Sequence, residues 1–151
     1  MRQEQYERVS AAIRGDVMMI PYLAFQGNCE EAFALYYKVF GGKTDYVSRY
    51  TEETGTKAMV GKVMHLEATV GGSALSGGDR EEPVQITDAV RLMVHCATLA
   101  EANAVLDALG AEGTVLQRLT PHPPPDDGGC GGQVRDKYGY TWIITAPNNR
   151  Q

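Results

Sequence analysis

The groups in this chain that could do chemistry are few, and one pair is set apart by its spacing. In the run VMHLEATV, residues 63–70, the side chains alternate. Met64, Leu66, Ala68 and Val70 point one way, and His65, Glu67 and Thr69 point the other, the pattern of a strand with one apolar face. An imidazole and a carboxylate two residues apart on a strand stand about 7 Å apart at Cα. Glu67 can then orient the His65 ring as a general acid or base. A second run, AVRLMVHC at 89–96, places Val90, Leu92, Val94 and Cys96 on one face and Ala89, Arg91, Met93 and His95 on the other. Arg91 is suited to hold an anionic ligand group. His65, Glu67 and His95 together have the donor chemistry for zinc, iron or nickel, although two ligands so close on one strand strain a shared chelate. Solvated polar faces of half-buried strands give the same pattern, so catalysis, ligand contact, metal binding and plain solvation all stay open here.

The remaining candidates carry less. Cys29, Cys96 and Cys130 are odd in number, widely separated and form no CxxC pair, which suggests neither a disulfide framework nor a zinc knuckle. Cys29 falls in the first turn of a helix signal, where the dipole lowers a thiol pKa, but Glu30 and Glu31 oppose the shift, and a structural thiol is expected. His122 sits in PHPPPDDGGCGG, residues 121–132, whose four prolines and four glycines point to a long surface loop without regular structure and a solvated imidazole.

The elements that position these groups recur. In GNCEEAFALYYKVFGG, Asn28 can cap a helix with Glu31 three residues on, Ala32, Phe33, Tyr36, Val39 and Phe40 form its stripe, and Gly41 and Gly42 end it. In TLAEANAVLDALGAEG, Thr98 and Glu101 repeat the cap, Ala102, Val105, Leu106 and Leu109 repeat the stripe, and Gly110 ends it. A strand-like run precedes each helix (MMIPYLAF, AVRLMVHC), another follows (KTDYVSRY, GTVLQRLT), and hairpin-like material closes each half. The order strand, helix, strand, strand, strand occurs twice, the mark of a duplicated unit. The expected fold is α+β: two βαβββ modules, residues 17–80 and 88–147, in one domain over 17–147, with mixed sheets curled around a cup that His65, Glu67, Arg91 and His95 line. Trp142 is expected on the helix-facing side between Thr141 and Ile143, with Asp136 and Tyr138 shaping a turn that closes at Gly139. Residues 1–16 form an N-terminal extension in which Tyr6, Val9 and Ile13 are spaced for a short amphipathic helix that packs on the domain or on a partner subunit.

Bulk properties narrow the partners. The net charge of −5 and pI near 5.2 argue against nucleic acid and against an anionic membrane surface. No apolar run approaches the roughly 20 residues of a membrane span, and the polar start lacks the apolar core of a signal peptide, so a cytoplasmic protein is expected.

Three stretches resemble a known group. The run PYLAFQGNCEEA at 21–32, the segment MHLEATVGGSAL at 64–75, and Asp136-Lys137-Tyr138-Gly139-Tyr140-Thr141-Trp142 as an Asp-x-aromatic-Gly-x-x-Trp ending are similar to PhnB-like proteins. These belong to the glyoxalase/bleomycin resistance/extradiol dioxygenase, or vicinal oxygen chelate, superfamily. The resemblance spans residues 18–147 and implies paired βαβββ modules, a small-molecule ligand in the cup and a homodimer. Metal-dependent members of the superfamily draw one His or Glu from each of four strands. The matching positions here carry Ile143, Arg91, and Tyr22 or Ala24, which implies that the standard metal centre is absent and that no cofactor is held. The ligand contacts the resemblance leaves are His65, Glu67, Arg91, His95 and Ile143, with His65 and Glu67 the catalytic candidates. The alternatives are a divalent-metal lyase or dioxygenase with a displaced ligand set (His65, Glu67, His95) and a drug-sequestering protein that catalyses nothing. PhnB-like proteins usually carry an aromatic-rich segment where this chain has PHPPPDDGGCGG, and the chain shows no glycine-rich strand–turn–helix typical of a methyl-donor site.

Overall fold

A computed structural model describes residues 2–12 and 17–148. Ile13, expected on the stripe of the N-terminal helix, lies outside the described residues. That helix, α1, spans Gln3–Ala12. The first module then runs β1 (Tyr22–Phe25), α2 (Cys29–Phe40), β2 (Gly42–Arg49), β3 (Val63–Val70) and β4 (Ser73–Asp79). The second runs β5 (Leu92–His95), α3 (Leu99–Gly110), β6 (Thr114–Pro121), β7 (Gly129–Arg135) and β8 (Thr141–Pro147). Each module forms a four-stranded mixed sheet. Sheet A has the order β1-β4-β3-β2 and sheet B the order β5-β8-β7-β6, with β1–β4 and β5–β8 parallel and the other pairs antiparallel. The fold is therefore α+β with two βαβββ modules, and the two sheets do not close into a barrel.

The apolar stripes meet in one core. Ala32, Phe33 and Tyr36 of α2, Ala102, Leu106 and Leu109 of α3, Leu66, Ala68 and Val70 of β3, and Trp142 and Ile144 of β8 are all buried in it. Rings join the modules: Tyr36 meets Trp142 edge-on at 5.2 Å, and Phe25 meets Tyr138 and Tyr140 at 6.1 and 5.6 Å. Trp142 faces the helices as its alternation predicts. Two buried carboxylates organise the polar framework. Asp136, in the turn closed by Gly139 at φ 97°, accepts from the Tyr36 hydroxyl at 2.6 Å, Trp142 Nε1 at 2.9 Å, and the backbone N–H groups of Tyr138 and Tyr140. Asp79, at the end of β4, accepts from the N–H groups of Gly27, Cys29 and Val63 at 2.9–3.0 Å.

Four local expectations change. The first is the α2 cap: the Asn28 side chain makes no capping bond, and the Asp79 carboxylate takes the free N–H of Cys29 instead, whereas Thr98 does cap α3 through the N–H of Glu101 at 3.1 Å. The second is the inner face of β3. Ser48 pairs His65 and Arg49 pairs Val63, so a bulge skips Met64; Val63 is 1% exposed and Met64 37%. The third is the start of β5. The strand begins only at Leu92, and Val90, expected on the core side, is 77% exposed. The fourth is the stretch 121–132. β6 extends to Pro121 and β7 begins at Gly129, leaving 122–128 as the connection. The glycines of β7 are there for space: a Cβ on Gly132 would meet the Gln117 carbonyl at 2.9 Å, and one on Gly131 would meet the His122 ring at 2.6 Å.

Candidate ligand-binding site

Sheet A presents its non-helix face as cross-strand rows. Tyr22 pairs Ser76, Ser76 pairs Glu67, and Glu67 pairs Tyr46, so two phenols and a carboxylate lie in one line across four strands. His65 sits one step along β3 from that line, within 3.2 Å of Glu67 Oε1 through Nε2 and 3.3 Å of the Tyr22 hydroxyl through Nδ1. An ionised carboxylate only accepts, so Nε2 donates to Glu67, and in the neutral ring Nδ1 then accepts from Tyr22. Burial is the main cause that holds the Tyr22 phenol above its usual pKa, which keeps it a donor. The His65 ring stacks on Tyr22 at 5.6 Å and 20°, and Tyr46 flanks it at 6.2 Å. Gly78 makes the seat for Tyr22, because a Cβ there would stand 2.6 Å from its hydroxyl. Thr69 donates to Asp45 at 2.7 Å farther along the same face. The row is open: Tyr22 is 52% exposed.

Sheet B presents a different set. His95 lies against Thr145 with Nδ1 2.9 Å from Oγ1, and the Thr145 hydroxyl donates to the Val94 carbonyl at 3.3 Å. With the hydroxyl proton so committed, His95 Nδ1 donates to Thr145. Arg91, just before β5, donates to Gln133 at 3.3 Å, and Ile143 sits half-buried between its strand neighbours Met93 and Gln133. His122, expected in a solvated loop, is exposed but has its ring over Gly131, whose cross-strand partner is Thr145. It joins the face that carries His95. Sequence reasoning missed this because it depends on two glycines leaving room for a ring, and it missed the Tyr22–His65 stack because β1 and β3 meet only through β4. The signal available was Gly78, a small residue in a strand interior.

Within one chain the structure brings His65 together with Glu67, and separately Arg91 with Gln133 and His95 with Thr145. No hydrogen bond, ion pair or ring contact joins the first set to the second among the described residues. Among those residues no three His, Cys, Asp or Glu side chains converge either. His65 and Glu67 are turned to each other, Arg91 is a permanent cation and Ile143 has no donor atom, so the residues of a single chain do not fit the four-ligand metal site of the superfamily. Cys29 is fully buried, and burial together with Asp79 pushes its thiol up to about 12, a protonated and unreactive state. A groove of about 1130 Å³ runs from β5, with Arg91 and His95 in its lining, to α3.

The fold and these faces can be set beside known proteins. A family model described as 3-demethylubiquinone-9 3-methyltransferase matches residues 17–145. The chain belongs to this family. Among solved structures, a Bacillus cereus protein described as a 3-demethylubiquinone-9 3-methyltransferase and PhnB protein is 29% identical, with 86% of this chain and 99% of that one covered at a TM-score of 0.74. Protein PA1353 from Pseudomonas aeruginosa is 26% identical over 87% of this chain and 98% of that one, at 0.75. A fosfomycin resistance protein from Listeria monocytogenes, at 11% identity, 89% and 95% coverage and a TM-score of 0.61, shares the fold alone. No curated protein matches the chain. In this PhnB-like family member the strand–helix junction after β1 is Gln26-Gly27-Asn28, and the N–H groups of Gly27 and Cys29 are taken by Asp79. Among the described residues, no helix is long and apolar enough to cross a membrane.

Proposed function

We propose that this PhnB-like protein binds a small flat molecule against the open face of sheet A, and that a second copy of the chain closes the cup by bringing up its sheet B. In this reading Tyr22, Tyr46 and His65 give ring surface and Glu67 gives a carboxylate. Arg91, His95 and Ile143 come from the second copy. The observation that carries the reading is the hydrogen-bonded row Tyr22–His65–Glu67, stacked and held in register on a solvent-facing sheet. A His oriented on both nitrogens beside exposed rings is costly to arrange for solvation alone and is suited to gripping a polarised aromatic or enolised carbonyl compound. The site works without a metal: His65 moves or shares a proton, and Arg91 neutralises an anionic edge.

The test is a fluorescence titration with two flat probes, proflavine as a cation and 1-naphthoate as an anion. Saturable binding that weakens about tenfold in Tyr22→Ala and in His65→Ala is expected, a loss of about 1.4 kcal/mol. Binding equal to wild type in both variants overturns the site. A divalent-metal lyase or dioxygenase is the second reading, favoured by His95 and His122 sharing one face of sheet B. Near-stoichiometric zinc, nickel, iron or manganese in chelator-free protein, lost in His95→Ala, would put it first.

A further inference from the structure

Among the described residues, no hydrogen bond, ion pair or ring contact joins the N-terminal helix to either sheet. α1 has ten residues, below the roughly 12–15 at which a helix holds itself in water, so its formation depends on a surface to lie against. Every side chain of α1 whose burial is described is exposed, Tyr6 and Val9 among them. Tyr6 and Val9 share a line with Arg2, at spacings of four and seven, a narrow apolar face with a cation at its N-terminal end.

The groove between β5 and α3 is shaped to receive such a face. One wall is the outer side of α3, where Glu101, Ala104, Val105 and Ala108 recur at helical spacing. The small alanines let another helix axis come near, at the roughly 8–10 Å of ordinary helix packing. Val39 and Phe40 at the end of α2 and residues 91–96 at β5 also line it. No residue of α1 lines the groove, yet Met18 and Met19, which follow α1 in the chain, form part of its rim, and Met19 is 94% exposed. Charge also matches. Among the described residues the Glu101 carboxylate has no side-chain partner, and neither has the Arg2 guanidinium. Arg2 leads the apolar line of α1, and Glu101 leads the alanine line of α3.

We infer that α1 of one chain docks in this groove of a second copy, with Tyr6 and Val9 against Ala104, Val105 and Ala108, and Arg2 paired with Glu101. Two chains related by a two-fold axis exchange their helices, giving two equal contacts. Arg91 and His95 of the proposed ligand site also line this groove, but the cross-link reads only positions 9 and 104, so its failure leaves the probe titration standing.

Cysteine cross-linking of full-length chains tests it. A Val9→Cys chain is mixed with an Ala104→Cys chain under mild oxidation, and disulfide-linked peptides are identified by mass spectrometry. The native thiols Cys29, Cys96 and Cys130 are buried, and each single variant alone serves as control. A disulfide joining position 9 of one chain to position 104 of the other is expected. Arg2→Glu or Glu101→Arg alone should cut its yield several-fold, and the two charge changes together should restore it. A disulfide formed only within one chain, in the variant carrying both Val9→Cys and Ala104→Cys, overturns the exchange. No linkage of these two positions in either arrangement overturns the docking site, and yields insensitive to the charge changes overturn the pairing of Arg2 with Glu101.

Discussion

The first module fastens its helix from afar and the second fastens its helix locally. The first turn of α2 is held by Asp79, 50 residues from Cys29 in sequence, while α3 is capped by Thr98 at its own start. The open faces differ in the same spirit. Sheet A shows Tyr22, Tyr46, His65 and Glu67, and sheet B shows Met93, Ile143, Gln133 and Thr145 around His95. One topology thus carries two unlike sets of polar groups. The apolar periodicity repeats between the halves, and the polar groups on their open faces do not.

The sharpest way to break that contrast is to remove both anchors. Asp79→Ala leaves three backbone donors without their acceptor in a buried place, and the expected loss is about 3 kcal/mol or more. Thr98→Ala should cost about 1 kcal/mol. In a chain of this size each kcal/mol moves the melting point by roughly 2–4 °C, so thermal unfolding separates the two cleanly. Equal losses would show that the Asp79 bonds are replaced by water and that the modules are held alike. Next in size, Tyr36→Phe removes the bond that links α2 to the second module at Asp136 and should cost about 1–3 kcal/mol in urea unfolding while keeping a single transition. A split into two transitions would mean that the modules fold independently.

The open faces give a third test. In the probe titration His65→Ala should weaken binding about tenfold and His95→Ala less than half as much in free energy, because only His65 is stacked and bonded on both sides. The reverse order would move the ligand to sheet B. The last test is alkaline. Burial raises the Cys29 thiol and the Tyr138 phenol, both to about 12. The folded chain therefore holds protons that the unfolded chain gives up near pH 9–10, so this stability is whole at pH 8 and is lost as pH climbs towards 12. Melting points at about pH 8, 9.5 and 11 should fall in that order, and Cys29→Ala should flatten the slope.

Much of this was legible in the sequence. The two helix stripes, the doubled strand–helix–strand order and the His65–Glu67 face follow from periods of about 3.6 and 2, which need only neighbours in the chain. The face of β5 was read correctly from Leu92 onward and wrongly at Val90, where no strand partner exists to continue the alternation. Met64 was misplaced because a bulge is decided by pairing with β2, not by β3 itself. Composition hid the strand inside the proline- and glycine-rich stretch, since Gly129–Gly132 owe their places to neighbours on both sides, Gln117 and His122 among them. The Asp79 cap and the Tyr22–His65 stack join residues 50 and 43 positions apart, and no local pattern announces them. The two halves of the candidate site, expected to share one cup, have no hydrogen bond, ion pair or ring contact between them among the described residues.

Asp136 has a consequence for how such a protein can be cut or recombined. Its carboxylate gathers a phenol from the first half and an indole and two amides from the second, and the Tyr140 hydroxyl reaches back to the Ala24 carbonyl at 2.6 Å. A gene fragment encoding either half alone would make a chain with an orphaned carboxylate or an orphaned phenol in what was its interior. The repeat invites treating the halves as interchangeable cassettes, but the wiring makes them one indivisible part, to be fused, shuffled or transplanted only whole.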